Sequence, residues 1–382
     1  MGNFVIACFL NSSFGEEKTE WREAASTRQV ALLKWRTDLK PALNSTPLGK
    51  IFGRSAEYEG LAKTSLLFTD NETVVVTFVT REGVPALSRR GDSGTKLSIR
   101  LRPIFVDART GSVTATLDLG SGSRDAAIIA AHDGTFVTQV DNLVTLYSRS
   151  KEPLKKLTLP AFRGDALTAY SSPTGKSILF VPADHGPGRW LWVAVDSMDI
   201  VHSWYDTQNG DVSICDDLIA MVTCTWTHDC EPTVEIRGAE TDWRIIANAG
   251  RHSYPKFVND GVLFLKDQPL RLLRTDGTVV TTTSVSENLC LGSPPLSAPL
   301  AGRLVVPLCR IEGSAPSLDV GGHQVLKRFI IYSEPWKESY SEVTIEGPKV
   351  KDPFQLAISP DGQKLAILRG PFLELVELPA FR

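Results

Sequence analysis

Seven times along this chain an apolar run stops at a short polar turn, usually holding a glycine, and a second apolar run begins at once. The last copy is the clearest, Leu356-Ala-Ile-Ser-Pro-Asp-Gly-Gln-Lys-Leu-Ala-Ile-Leu368. The others are Leu66–Val76, Ile128–Val137, Ala169–Phe180, Val212–Val222, Phe257–Leu265 and Leu296–Val306. With turn residues 71, 134, 175, 217, 261, 302 and 362 as landmarks, the intervals are 63, 41, 42, 44, 41 and 60. A unit of this size cannot bury its own apolar face, so the chain is confined to architectures in which repeats cover one another.

A second hairpin follows each landmark but the last. Pro103-Ile-Phe-Val-Asp-Ala-Arg-Thr-Gly-Ser-Val-Thr-Ala-Thr-Leu117 shows it best, with period-two alternation on both sides of a Thr-Gly turn. Equivalents lie at Val144–Leu157, Leu191–Trp204, Val234–Ile246, Leu270–Thr282 and Phe329–Val343. Two hairpins make four strands, and four strands per 40 to 45 residues is the spacing of a β-propeller blade. The fold expected is all-β, a seven-bladed β-propeller of four-stranded antiparallel blades, forming a single domain over residues 28–382.

The last repeat is short of a strand, because only Phe372–Leu378 follows its first hairpin. An unpaired edge at the seam is a liability that proteins cover. Gln29-Val-Ala-Leu-Leu-Lys-Trp-Arg36, which precedes the first full repeat, is expected to complete that blade. The two long intervals locate insertions at Arg81–Lys96 and Ile311–Gln324, both read as loops between the second and third strands of their blades. They therefore belong to one face of the ring, where insertions in repeat proteins often meet partners.

The Ser359-Pro-Asp-Gly362 hairpin, its degenerate copies and the Thr-Gly turns resemble the WD-repeat-like and YVTN-type β-propeller superfamily, which includes TolB-like and lactonase-like propellers. The matching residues are turn and core positions, so what the resemblance implies is architecture. The Trp-Asp dipeptide of true WD repeats is absent from the sequence.

Composition narrows the partners. Apolar residues make up 42% and charged residues 22%, and the net charge of −3 is spread without a basic block. That pattern argues against nucleic acid and anionic membranes as partners. No apolar run has the length needed to span a bilayer. Residues 1–27 read as an N-terminal extension, with Phe4–Leu10 and the small and polar residues after it forming a remnant of an export signal. Val5-Ile-Ala-Cys8 resembles a bacterial lipobox, and Glu17–Ala25 fits a short helix. The setting expected is periplasmic or extracellular in a bacterium, with a cytoplasmic one left open.

Few motifs carry chemistry. Gly91-Asp-Ser-Gly94 and Ala130-Ala-His132 echo chymotrypsin-like proteases, but Ser93 precedes His132, the reverse of their order, and the turn readings suffice. Arg90-Gly-Asp-Ser93 is explained by the same loop chemistry. Cys224-Thr-Trp-Thr-His-Asp-Cys230 sets Cys224, His228 and Cys230 close enough to be metal candidates, although a zinc site needs a fourth ligand. Cys224 with Cys230 and Cys290 with Cys309 are the candidate disulfides in an exported protein. His185-Gly-Pro-Gly-Arg-Trp190 places His185, Arg189 and Trp190 on one connection, which makes them ligand-binding candidates.

Nucleophile-elbow, phosphate-loop, dinucleotide and His-Glu-x-x-His motifs are absent from the sequence. The expectation is a non-catalytic, monomeric binding or scaffold protein with no catalytic residues, metal or cofactor, presenting a face and its two insertions to a protein or other ligand. The alternative is a lactonase-like or other small-molecule hydrolase at the central channel, which would need ionisable side chains converging there.

Overall fold

The computed structural model describes residues 29–43, 65–85, 95–122, 126–160, 167–182, 188–206, 212–223, 233–239, 244–251, 255–259, 261–265, 269–285, 289–291, 294–312, 323–334, 336, 340–345, 350–351 and 354–380. The described chain is strands, turns and two short 3₁₀ turns. No helix among these residues is long and apolar enough to cross a membrane.

After β1 (Gln29–Asp38) come β2 (Ser65–Phe68), β3 (Thr73–Pro85), β4 (Thr95–Asp107) and β5 (Val113–Thr116), an antiparallel meander with β6 (Ser121–Gly122) added to β4. The next meander is β7 (Ala126–His132), β8 (Thr135–Val140), β9 (Leu143–Tyr147) and β10 (Pro153–Thr158). It is followed by β11 (Leu167–Ser171), β12 (Ser177–Pro182), β13 (Gly188–Ala194) and β14 (Asp199–Asp206). Then come β15 (Val212–Ile214), β16 (Leu218–Thr223), β17 (Thr233–Gly238) and β18 (Arg244–Arg251), and β19 (Pro255–Asn259), β20 (Val262–Leu265), β21 (Leu270–Arg274) and β22 (Val279–Thr283). The remaining strands are β23 (Cys290–Leu291), β24 (Leu296–Ala298), β25 (Arg303–Glu312), β26 (His323–Ser333), β27 (Tyr340–Ile345), β28 (Val350–Lys351), β29 (Phe354–Ile358), β30 (Lys364–Arg369) and β31 (Phe372–Glu377). They join with β1 into one ten-stranded sheet.

Burial follows position in the meander. Second strands lie between two partners in their own sheet and between two neighbouring sheets, so β12 (Ser-Ile-Leu-Phe-Val-Pro) and β20 (Val-Leu-Phe-Leu) are buried at every residue. Outer strands such as β10 face solvent. The core is divided into clusters, each shared by consecutive meanders. Val137, Val144 and Leu146 meet Ile178, Phe180 and Leu191, and Leu179 and Trp192 meet Ile214 and Met221. The last cluster returns to the start, with Ala366, Leu368 and Leu375 packed on Phe68, Val76 and Ile104. First strands touch in the order β2, β7, β11, β15, β19, β24, β29 and back to β2, which makes a ring around an axis.

The seam is where the sequence placed it. β1 pairs antiparallel with β31 from Leu32 opposite Glu377 to Asp38 opposite Phe372. Its first residues, Gln29–Ala31, also pair in parallel with Val343–Ile345 of β27, which fuses the last two meanders into one hydrogen-bonded sheet. Trp35 Nε1 donates to Ala108 O at 3.0 Å and Thr37 Oγ1 donates to Gly111 O at 2.6 Å, so β1 also grips the first meander.

The insertions differ from the loops expected of them. β3 and β4 stay paired as far as Pro85 opposite Thr95, and β25 and β26 as far as Glu312 opposite His323. Arg81–Pro85, Thr95–Lys96, Ile311–Glu312 and His323–Gln324 are therefore strand, because a ladder already in register extends through charged residues that alternate with apolar ones. The outcome is two hairpin arms. β6 widens the base of the first, and β23 and β28 flank the second.

Gly175 and Gly370 give a paired test of the turns. Both have positive φ, 75° and 54°, but a Cβ on Gly175 would sit 2.5 Å from the Ala131 carbonyl oxygen, whereas Gly370 has nothing within 4 Å. Gly370→Ala is expected to cost about 1 kcal/mol from backbone conformation alone, and Gly175→Ala about 2–4 kcal/mol because the clash adds to it. Equal urea-denaturation shifts for the two would contradict the close approach.

Candidate functional site at the axial mouth

The turns that end the first strands converge on one end of the ring, and they are built alike. In Ser172-Pro-Thr-Gly175 and Ser359-Pro-Asp-Gly362 the glycine N–H donates to the serine carbonyl, and the serine hydroxyl accepts from the N–H five residues on, at 3.1 and 2.9 Å. Each turn then reaches its neighbour. Gly134 N donates to Thr69 O at 2.7 Å, Thr174 Oγ1 to Asp216 Oδ1 at 2.6 Å and Phe257 N to Ser213 Oγ at 2.9 Å. Asn259 Nδ2 donates to Glu334 Oε1 at 3.0 Å, Arg303 Nη1 to Gly362 O at 2.6 Å, and Asp361 N to Asn71 Oδ1 at 2.9 Å.

These turns frame an open cavity of about 400 Å³, lined by Asp70, His132, Asp133, Thr174, Leu300 and Pro360 among others. A second depression of about 610 Å³ shares Thr174, Pro299 and Leu300 with it and runs toward Arg274, Asp276 and Trp336. Between the two stands Leu300, 76% exposed, on the 3₁₀ turn Pro299–Ala301 that Gly302 ends in the left-handed conformation. The charges here are partly committed. Arg149 Nη2 is 2.9 Å from Asp70 Oδ2, which raises the guanidinium above its ordinary pKa, and hydrogen bonds from the backbone and hydroxyl of Thr278 hold the Asp276 carboxyl below its usual value. Among the described residues no group of three His, Cys, Asp or Glu side chains is placed to hold a metal ion.

The residues singled out in the sequence fall elsewhere. Arg189 and Trp190 lie within β13 and not on a connection, and strand alternation sends them to opposite faces. Arg189 Nη2 donates to Ser203 Oγ at 2.8 Å on the exposed side. Trp190 is 3% exposed, stacks near Trp204 at 5.7 Å between ring centroids and belongs to the core shared with the next meander, so it is no exposed aromatic for a ligand. His185, Cys224, His228, Cys230 and Ser93 lie outside the described residues. Cys290 stands directly opposite Cys309 across β23 and β25, the register a bridge would use, and Cys309 is a buried thiol. His132 ends β7 and lines the mouth.

Sequence reasoning missed Lys256. It sits second on β19, one of the strands around the axis, and is deeply enclosed while retaining accessible surface. Burial alone pushes its ammonium below the ordinary lysine value. The signal was present in the sequence as the one Lys, Arg, Asp or Glu among the first strands, but only the ring gives it meaning.

Comparison with known proteins places the fold. At a TM-score of 0.50 and 13% identity the chain is similar to the WD40 domain of Toxoplasma gondii coronin, covering 83% of this chain and 81% of that one. A chain from a mitotic checkpoint complex matches at 0.50 and 14% identity over 97% and 99%. The β-propeller domain of Myceliophteria thermophila Cps50 (Swd1) matches at 0.46 and 12% identity over 79% and 98%. No protein-family model and no curated protein matches the sequence. The fold that the chain shares with these structures is the β-propeller.

Lys256 makes stability depend on pH in a stated direction. Its folded pKa lies below its unfolded one, near 10.4, so between the two values the unfolded chain holds the extra proton and stability rises with pH. The wild type should lose stability relative to Lys256→Met as pH falls from about 10 through the folded pKa. Urea midpoints for the two proteins that stay parallel from pH 6 to pH 10 would exclude an enclosed, uncompensated ammonium.

Proposed function

We propose that this chain is a non-catalytic, seven-bladed propeller that binds a protein partner through the face bearing its two arms. The observation that carries the reading is the construction of the arms, in which Arg81–Pro85 pairs with Thr95–Ile99 and Ile311–Glu312 with His323–Gln324 at the end of the ring opposite the first-strand turns. The blade count follows from treating the ten-stranded sheet as two meanders joined through β1. Sheet-like arms suit recognition by strand addition, in which main-chain groups supply affinity and alternate side chains supply selectivity. The neighbours in solved structures include a coronin domain and a member of a checkpoint complex, whose fold is the point of likeness. The hydrolase reading draws less support, since Asp70 at the mouth is held by Arg149 and Trp190 belongs to the core.

Replacing residues 86–94 and 313–322 with two-residue Asn-Gly turns should leave the melting temperature within a few degrees. Photocrosslinking side chains placed in those segments should attach to one partner in living cells, and a crosslinker at position 300 should not. Crosslinks confined to position 300 would move the binding face to the turns and sink the proposal.

The reading includes a monomer acting outside a bacterial cytoplasm, supported by the apolar stretch Phe4–Leu10 and the small and polar residues after it. Mass spectrometry of the mature protein should find a processed N-terminus within residues 1–27, and an intact Met1 on all molecules would count against export.

A further inference from the structure

The strands that ring the axis are Ser65–Phe68, Ala126–His132, Leu167–Ser171, Val212–Ile214, Pro255–Asn259, Leu296–Ala298 and Phe354–Ile358. They hold no aspartate and no glutamate, and their one lysine or arginine is Lys256. The elements packed on β19 are β15, β16, β20 and β24, and none of them carries a charged or titratable side chain. The strands on either side of β19 therefore bring serine hydroxyls, Ser213 on β15 and Ser297 on β24, and apolar groups.

Neighbouring side chains fix which way Lys256 lies. Phe257 belongs to the core shared with the preceding meander, beside Ala220 and Val234. Val258 and Phe264 belong to the core shared with the following one, beside Leu304 and Val306. Lys256 is opposite Phe264 in register and alternates with Phe257, so it sits on the side toward β24. It is three residues from Asn259 at the mouth, roughly 10 Å down the strand at about 3.3 Å per residue. Among the described residues it has no hydrogen-bond or ion-pair partner.

A buried ammonium ordinarily costs several kcal/mol unless it is paired, so proteins seldom keep one without a counter-charge. We propose that the counter-charge is a ligand, and that Lys256 anchors a site on the axis for a compact oxyanion, the carboxylate or phosphate group of a small molecule. The lining supplies the selectivity, because hydroxyl donors welcome an oxyanion, and the absence of carboxylates on these strands removes the repulsion that would exclude one. Anion binding and protonation are then coupled, since each favours the other. The site is independent of the arms and stands or falls without them.

Sulfate is the probe, because it stays a dianion across the pH range. Isothermal titration at pH 6.5 in a low-salt, weakly coordinating buffer should give one site in the wild type. Lys256→Met should weaken it at least about tenfold, whereas Lys256→Arg and the exposed-site control Lys176→Met should stay within about threefold. Repeating the titration in buffers of different ionisation enthalpy above the lowered pKa should reveal proton uptake that Lys256→Met lacks. Acetate run in parallel separates a carboxylate site from a tetrahedral-anion site by which of the two binds more tightly. Circular dichroism and thermal melts establish that the variants fold, which is expected because methionine removes a desolvated charge and keeps the apolar stem. Sulfate binding that is absent in the wild type, or unchanged in a folded Lys256→Met, would overturn the assignment.

Discussion

Everything in this molecule depends on the ladder between β1 and β31. Each sheet has two apolar faces, and a linear array would leave two of them bare at its ends. Joining Leu32–Asp38 to Phe372–Glu377 lets Ala366, Leu368 and Leu375 close over Phe68, Val76 and Ile104. Burying each such side chain contributes about 1.5–3 kcal/mol, so the cluster at the junction outweighs the few ladder hydrogen bonds that position it. Electrostatics at the seam is local. The carboxylate of Glu374 is buried between Arg369 and Arg36, and breaking such a pair from one side is far costlier than never having built it.

Closure also sets the geometry of the mouth. Once the ring is complete, every first-strand turn has a neighbour on both sides, and backbone groups that would otherwise face water are shared from turn to turn. Gly175 shows how tight the fit is, because its α-carbon comes close enough to the neighbouring carbonyl to exclude a methyl group. The mouth is thus a hydrogen-bonded rim from which the apolar side chain of Leu300 protrudes, whereas at the other end β6, β23 and β28 pair with the bases of the arms. The two ends of the axis are suited to different tasks.

The turns and the closing strand were legible in the sequence because each answers a local demand. Gly134, Gly175 and Gly362 are needed where φ is positive, and a last repeat one strand short announces that another segment must supply it. What stayed hidden needs three-dimensional context. The parallel contact of Gln29–Ala31 with β27 has no sequence mark, since parallel and antiparallel partners want the same residues. Arg81–Lys96 reads as a loop from its glycines and charges, yet pairing already under way carries strand into it. Trp190, beside Gly-Pro-Gly, looks exposed, but alternation turns it into the core. Lys256 in Pro-Lys-Phe-Val-Asn looks like the solvent-side position of a half-buried strand, and only the circular arrangement turns that side toward β24.

The pairing of Leu32 with Glu377 carries a consequence for the making of the protein. On the ribosome the strand that finishes the last blade emerges long before its partner, because the whole ring is encoded between them. At about 5–20 residues per second, β1 waits on the order of 20 to 70 s for β31. During that interval Ala31 and Trp35, which pack on the core of the closed ring, have no native partner, and the growing chain carries an unpaired strand edge. Synthesis therefore favours a nascent chain whose β1 is shielded until β31 has emerged, and makes the incomplete chain, more than the closed ring, the form most in need of a chaperone.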